Sequence, residues 1–204
     1  MQSKQPKLCL YGGTFDPIHL GHTFVAQKIV QSMGIDRMIF LPCRQSPHKE
    51  RATQFSDAQR LAMCQAATQQ LPWAEVSDFD LTAPSPSYSW RTAEHFSNAY
   101  PEHQLFWLMG TDQWQSFDRW ARADYIQSLL HIIVYNRDSR EQKSTSSQSF
   151  QVDGIVHQAS ATQIRMALTK NESSPWIHPS VLPLIKKFAT SSHSPLDKSN
   201  ELRS

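Results

Sequence analysis

Glycine is scarce in this chain: 6 residues in 204, at Gly12, Gly13, Gly21, Gly34, Gly110 and Gly154. Glycine costs conformational entropy, so a sparse set concentrated between residues 12 and 21 marks a place where side chains would obstruct something. An excess of either charge is also missing: 20 basic against 18 acidic residues leave a formal net charge of +2. This excludes a broad basic sheath for nucleic acid and a general electrostatic hold on an anionic membrane, so any anion has to be bound locally. Cysteine is rare, odd in number and without a Cys-X-X-Cys pair (Cys9, Cys43, Cys64), which supports neither a disulfide framework nor a thiolate zinc site. No run approaches the roughly 18 apolar residues of a membrane span, and MQSKQPKLCLYGG lacks the long apolar segment of a signal peptide. A reduced, cytoplasmic protein is expected.

What is present is enough large apolar surface for a core: 39% hydrophobic residues, with 10 Phe and 6 Trp, which argues against wholesale disorder. The length favours one domain, placed at 1–189, followed by a flexible tail at 190–204. Lys7 to Tyr11 reads as a short buried strand stopped by Gly12-Gly13. Leu20 to Met33 has helical spacing and ends at Gly34 as a C-cap. Arg37 to Leu41 is a second strand. After a polar loop, a helix runs from an N-cap at Ser56 to about Gln70. The same reading gives a strand at Ala74 to Phe79, a helix at Ser89 to Ala99, a strand at Gln104 to Met109, a helix at Asp124 to Leu130 and a strand at His131 to Tyr135. A last short strand is expected at Ile155 and Val156, and helices at Ser160 to Leu168 and His178 to Phe188. Asp138 to Ser149 is polar and expected to be a surface loop. Strand-helix alternation with right-handed crossovers implies an α/β fold with a doubly wound, mostly parallel sheet.

Ligands of such sheets bind beyond the carboxyl ends of the strands, where strand order reverses. GGTFDPIHLGH follows the first strand. Gly12 and Gly13 would let backbone N–H groups approach an anion, and Thr14 adds a hydroxyl donor. Pro17 fixes the chain as it enters the helix. His19 and His22 then share one side of the first turn, with Gly21 leaving room beside them. The positive end of a helix and two imidazoles converge there, and a phosphate suits that setting. A zinc pair would want third and fourth ligands, and no neighbouring Cys or His has the spacing. In SATQIR, Ser160 and Gln163 have capping-box spacing, Ile164 and Leu168 share an inward face, and Arg165 stands off it.

With PHK at 47–49, SYS at 87–89, GTDQWQSFDRW at 110–120 and SATQIR at 160–165, the chain resembles the nucleotidyltransferases marked by His-X-Gly-His. Within that superfamily it looks like the bacterial nicotinate-nucleotide adenylyltransferases. The resemblance runs from about Leu8 to Phe188 and implies a Rossmann-like nucleotidyltransferase fold. The implied reaction is transfer of the adenylyl group of ATP to nicotinate mononucleotide, with pyrophosphate leaving and Mg²⁺ held mainly by the ATP phosphates and water. His19 and His22 would be the catalytic donors, His22 nearest the α-phosphate. Gly12, Gly13, Thr14, Phe15 and Gly21 would line the ATP site. Ser160, Thr162 and Arg165 would clamp the β- and γ-phosphates from a second wall, with Gly110 and Asp112 on the ribose or adenine side. An N-cap is the other reading of Asp112 and of Ser89. Tyr88, Ser89 and Trp120 would hold the pyridine, Trp120 by stacking, and His48 and Lys49 would add charge from a loop. Ser46, Asp138 and Lys170-Asn171 depart from the family pattern. Asp138 leaves a role for Arg137 at ATP open, whereas Asn171 can adopt the left-handed cap. Other acceptors stay open, namely nicotinamide mononucleotide, phosphopantetheine or a CTP-dependent relative's substrate, as does a non-catalytic nucleotide-binding module. Acid against amide is not readable from these side chains, and neither is the oligomeric state.

Overall fold

Leu8 and Leu10 face one side of the first strand and Cys9 and Tyr11 the other, and all four are buried. A strand apolar on both faces needs cover on both. The computed structural model describes residues 5–44, 52–136, 149–153 and 157–191. Its elements are β1 (Lys7–Gly13), α1 (Leu20–Met33), β2 (Arg37–Pro42), α2 (Asp57–Thr68), β3 (Ala74–Val76), α3 (Phe79–Thr82), α4 (Ser89–Ala99), β4 (Gln104–Gly110), α5 (Thr111–Trp114), a 3-10 turn (Phe117–Arg119), α6 (Ala123–Leu129), β5 (His131–Tyr135), β6 (Ser149–Val152), α7 (Ala161–Thr169) and α8 (Leu182–Ser191).

The sheet has the order β3-β2-β1-β4-β5-β6, and every neighbouring pair is parallel. Two cores follow from the alternation along the strands. Cys9, Tyr11, Met38, Phe40, Phe106, Leu108 and Ile133 pack with Val25 and Ile29 of α1, Met63 and Cys64 of α2, Ile164 of α7 and Ile185 of α8. Leu8, Leu10, Ile39, Leu41, Trp107, Met109 and Val134 pack with Ala93 and Phe96 of α4, Phe117 of the 3-10 turn and Ile126 of α6. This is the doubly wound parallel arrangement expected from the sequence. Burial pushes the Cys9 and Cys64 thiols well above their ordinary range.

The reversal of order lies between β1 and β4, and there the sheet forks. β1 pairs with β4 only from Lys7↔Gln104 to Leu10↔Trp107, while β1 stays with β2 to Gly13↔Pro42 and β4 with β5 to Gly110↔Tyr135. Gly12, Gly13 and Gly110 therefore stand at the two tips of the fork.

Several boundaries differ from expectation. Gly12 and Gly13 belong to β1 rather than stopping it. β3 ends at Val76, and Phe79 opens the one-turn α3, because Ser77 Oγ accepts the Phe79 N–H at 3.2 Å and turns the chain out of the sheet. The sixth strand is Ser149–Val152, reaching into the stretch read as a loop, while Ile155 and Val156 lie outside the described residues. α8 starts at Leu182, not His178, and continues to Ser191, into the stretch assigned to the tail.

Between β3 and α4, Asp80 is 6% exposed and its Oδ1 accepts the Thr92 hydroxyl at 2.6 Å. Burial pushes its carboxyl up to about 6, against the lowering effect of the Thr92 bond. The folded state thus holds this proton more tightly than the unfolded chain. The resulting stabilisation is full below about pH 4 and is lost as pH rises through about 6. Asp80→Asn keeps an acceptor for Thr92 and removes the ionisation. In urea titrations the variant should gain on the parent between pH 4.5 and pH 7, by on the order of 2 kcal/mol. A constant difference across that range would show that Asp80 titrates normally.

Candidate active site

The tight packing of the fork explains its glycines. A Cβ on Gly12 would lie 3.1 Å from Cζ2 of Trp107, whose indole crosses beneath β1 from β4. A Cβ on Gly21 would meet the His19 ring at 3.0 Å and the Ala159 Cβ at 3.1 Å. At these positions a Cβ would crowd neighbouring side chains of the protein. Gly21 in particular lets the segment entering α7 press against the start of α1.

α1 begins at His19, whose φ of −144° and ψ of 171° are the extended geometry of an N-cap. His19 is 4% exposed, bridges to Ile177, and the Leu20 N–H donates to the Trp176 carbonyl at 3.1 Å. The first turn of α1 is thus braced by the segment leading to α8. The His19 N–H donates to His22 Nδ1 at 3.2 Å, and the two rings stack at 3.7 Å with 27° between planes. Since Nδ1 accepts, the neutral His22 ring carries its proton on Nε2, so Nε2–H is its donor. Phe15 meets His22 edge-on at 5.0 Å, and Tyr11 does so at 6.3 Å. Phe15 itself is buried at a φ of 48°, held in the left-handed region by its packing.

Thr14 is half-buried, and its carbonyl accepts from Nη1 of Arg60. Arg60 has no exposed surface and also reaches Asp57 Oδ1 at 2.6 Å. On the second wall Ser160 is the N-cap of α7, but its side chain makes no capping hydrogen bond, so the expected capping box is absent. Thr162 Oγ1 instead accepts from Arg165 Nη2 at 3.0 Å, and Arg165 Nη1 donates to the Asp16 carbonyl at 2.8 Å. Arg165 stands off the core stripe as expected, yet it is tied to the first wall. Asn171 has a φ of 58°, the left-handed stop anticipated for it.

On the β4 side, Gly110 is the N-cap of α5 and Asp112 is an exposed residue of its first turn, so Asp112 is not the cap. Tyr88 is the N-cap of α4 and Ser89 its first residue, so Ser89 is not the cap either. Trp120 is half-buried, edge-on to Trp107 at 6.4 Å and tilted against Phe117 at 5.4 Å. Trp114 is not fully buried either and stacks on Phe117 at 5.4 Å. His48, Lys49 and Arg137 lie outside the described residues, as does Gly154.

Three participants escaped the sequence reading. Asp16 sits inside GGTFDPIHLGH, where an acid amid anion-binding groups was itself a signal. Arg60 shares the helical spacing of Met63, Cys64 and Ala67, and a charge on an apolar stripe calls for a buried partner. Arg122, two residues beyond Trp120, stacks on Trp90 at 4.5 Å and Tyr125 at 4.1 Å and so clamps α6 to α4; no local pattern announces it.

The fold is that of a nucleotidyltransferase, and the cytidylyltransferase-like family model matches residues 10–167 of the chain. A structure of Plasmodium falciparum nicotinic acid mononucleotide adenylyltransferase complexed with NaAD superposes with a TM-score of 0.74 at 19% identity, covering 93% of this chain and 98% of that one. Curated relatives are more similar in sequence. The nicotinate-nucleotide adenylyltransferase of Staphylococcus epidermidis is 32% identical over 82% of this chain and 87% of its own length. That of Neisseria meningitidis is 33% identical over 89% and 96%, and that of Methylacidiphilum infernorum 40% identical over 63% of each chain. The chain belongs to the nicotinate-nucleotide adenylyltransferase family. No helix among the described residues is long and apolar enough to cross a membrane.

Proposed function

We propose that this protein transfers the adenylyl group of ATP to the phosphate of nicotinate mononucleotide, releasing pyrophosphate and forming nicotinate adenine dinucleotide, in the cytoplasm. The observation that carries the reading is His22, oriented by its Nδ1 bond as an Nε2 donor at the start of α1 beside the fork, in a chain of this family. The acceptor's phosphate oxygen attacks the α-phosphorus in line, that O–P bond forms, and the bond to the β-phosphate oxygen breaks. An anionic nucleophile needs no strong base, so the protein's work is positioning and charge stabilisation. His22 and His19 would donate toward the α-phosphate, with the Gly12–Phe15 backbone beside them. Arg165 and Thr162, with Ser160, would hold the leaving pyrophosphate, and Asp112 and Gly110 the nucleoside. Mg²⁺ would come in on the triphosphate, held mainly by its phosphates and water. When bound, the ion offsets phosphate charge.

Tyr88, Ser89 and Trp120 form the acceptor side, with His48 and Lys49 adding charge. Trp120→Ala is expected to raise the KM for the mononucleotide by about tenfold, and that for ATP by less, as loss of a stacking face predicts. Equal increases would return Trp120 to the core under β4. The reading as a whole is tested by kcat/KM for ATP with a panel of acceptors: nicotinate mononucleotide, nicotinamide mononucleotide and phosphopantetheine. The acid should rank first. A preference for phosphopantetheine would reassign the acceptor, and silence with all three would point to a binding module.

A further inference from the structure

Asp16 is only 7% exposed, and both its carboxylate oxygens are committed: Oδ2 accepts the Gln54 N–H at 2.9 Å and Oδ1 the Phe55 N–H at 3.0 Å. Its own carbonyl accepts from Arg165 Nη1, and Oδ2 lies 3.9 Å from that same nitrogen. Two backbone donors from the segment entering α2 thus fix the carboxylate, and the carboxylate and carbonyl together fix one arm of a guanidinium from α7. The other arm is held by Thr162 Oγ1. A guanidinium is a rigid planar fork with five N–H donors, so two attachments set its plane and leave donors for a third partner. Arg165 is 17% exposed at its side chain, so its outer edge still reaches the surface of the site.

We propose that Asp16 is a positioning residue that aims Arg165 at the triphosphate, making the loop after β1 and the start of α7 one anion-binding unit rather than two independent walls. The inference rests on the proposed adenylyl transfer only in taking ATP as the ligand Arg165 meets. Asp16 touches no reacting atom; it sets where the Arg165 charge sits, and it ties that setting to the Gln54–Phe55 segment.

A double-mutant cycle separates this from a purely structural anchor. Asp16→Asn keeps an acceptor oxygen and the side-chain shape but removes the charge that faces Arg165. In otherwise native protein it should raise the KM for ATP about tenfold, the scale of one charge-assisted hydrogen bond, and change the KM for the mononucleotide less than about twofold. In an Arg165→Ala background the same change should add less than about twofold. A full additional loss in that background, equal changes in both KM values, or no change at all would each overturn the proposal. Should Asp16→Asn fail to fold, Arg165→Lys carries the test: an ammonium's three donors sit on one nitrogen and lack the two separate arms by which Arg165 holds Asp16 and Thr162 while facing a phosphate, so its KM for ATP should match that of Arg165→Ala within about threefold. Native KM for ATP in the lysine variant would show that aiming is unnecessary. Absence of turnover in the unmutated protein would instead defeat the functional reading, a result distinct from all of these.

Discussion

Replacing His22 by alanine is expected to lower kcat for adenylyl transfer by at least about a hundredfold, the loss seen when a donor to a developing oxyanion is removed. The expectation follows from how the ring is held. His22 stacks on His19 at 3.7 Å and accepts the His19 N–H at Nδ1, so the Nε2–H direction is set before substrate arrives and no reorganisation is needed at the transition state. His22 is half-buried, and its removal leaves α1 anchored by the Leu20 bond to Trp176, so the thermal midpoint should move little. Single-turnover measurements with saturating ATP isolate the step. A variant with near-native kcat would reduce His22 to a partner for the His19 backbone.

The second large effect is expected at Arg60. Its side chain is fully buried, donates to the Thr14 carbonyl and Asp57, and lies within 3.5 Å of the Arg44 carbonyl. Arg60→Ala strands those acceptors, opens a cavity beneath the loop, and leaves Asp57 without its closest cation. Such losses cost about 3 kcal/mol even though Asp57 keeps contact with water. Urea unfolding should show that drop at unchanged m-value, and at temperatures where the variant remains folded kcat/KM for ATP should fall at least about tenfold because Thr14 loses its support. A loss below about 1 kcal/mol with native activity would mean that the loop stands without its buried arginine.

The strand-helix order was readable because each long element carries its own punctuation. Gly34 stops α1 at a φ of 61° with nothing near its missing Cβ, and Ser56 and Gln59 make the reciprocal capping bonds that begin α2. Ser160 and Gln163 have the same spacing without the Ser160 bond, since the α7 start is instead governed by packing against Gly21 and by Arg165. β6 escaped because it is a four-residue edge strand whose Phe150 is 38% exposed, so neither length nor burial marks it. The paired histidines and glycines were legible in one short motif. The braces behind them were not: Arg60 meets the loop across 46 residues and Arg165 across 149, and no local pattern encodes such a meeting. The glycines at the fork were read as places where a side chain would obstruct something, and a Cβ on Gly12, Gly13 or Gly110 would crowd Trp107, Phe15 or Tyr135.

The most direct measurement follows the phosphates of ATP. With purified protein, Mg²⁺ and nicotinate mononucleotide, ATP labelled at the α-phosphate should deliver its label to the dinucleotide, and ATP labelled at the γ-phosphate should deliver it to pyrophosphate, in equal amounts. Label from the α-position appearing only as AMP, or no pyrophosphate with any pyridine mononucleotide, would contradict adenylyl transfer at the fork between β1 and β4.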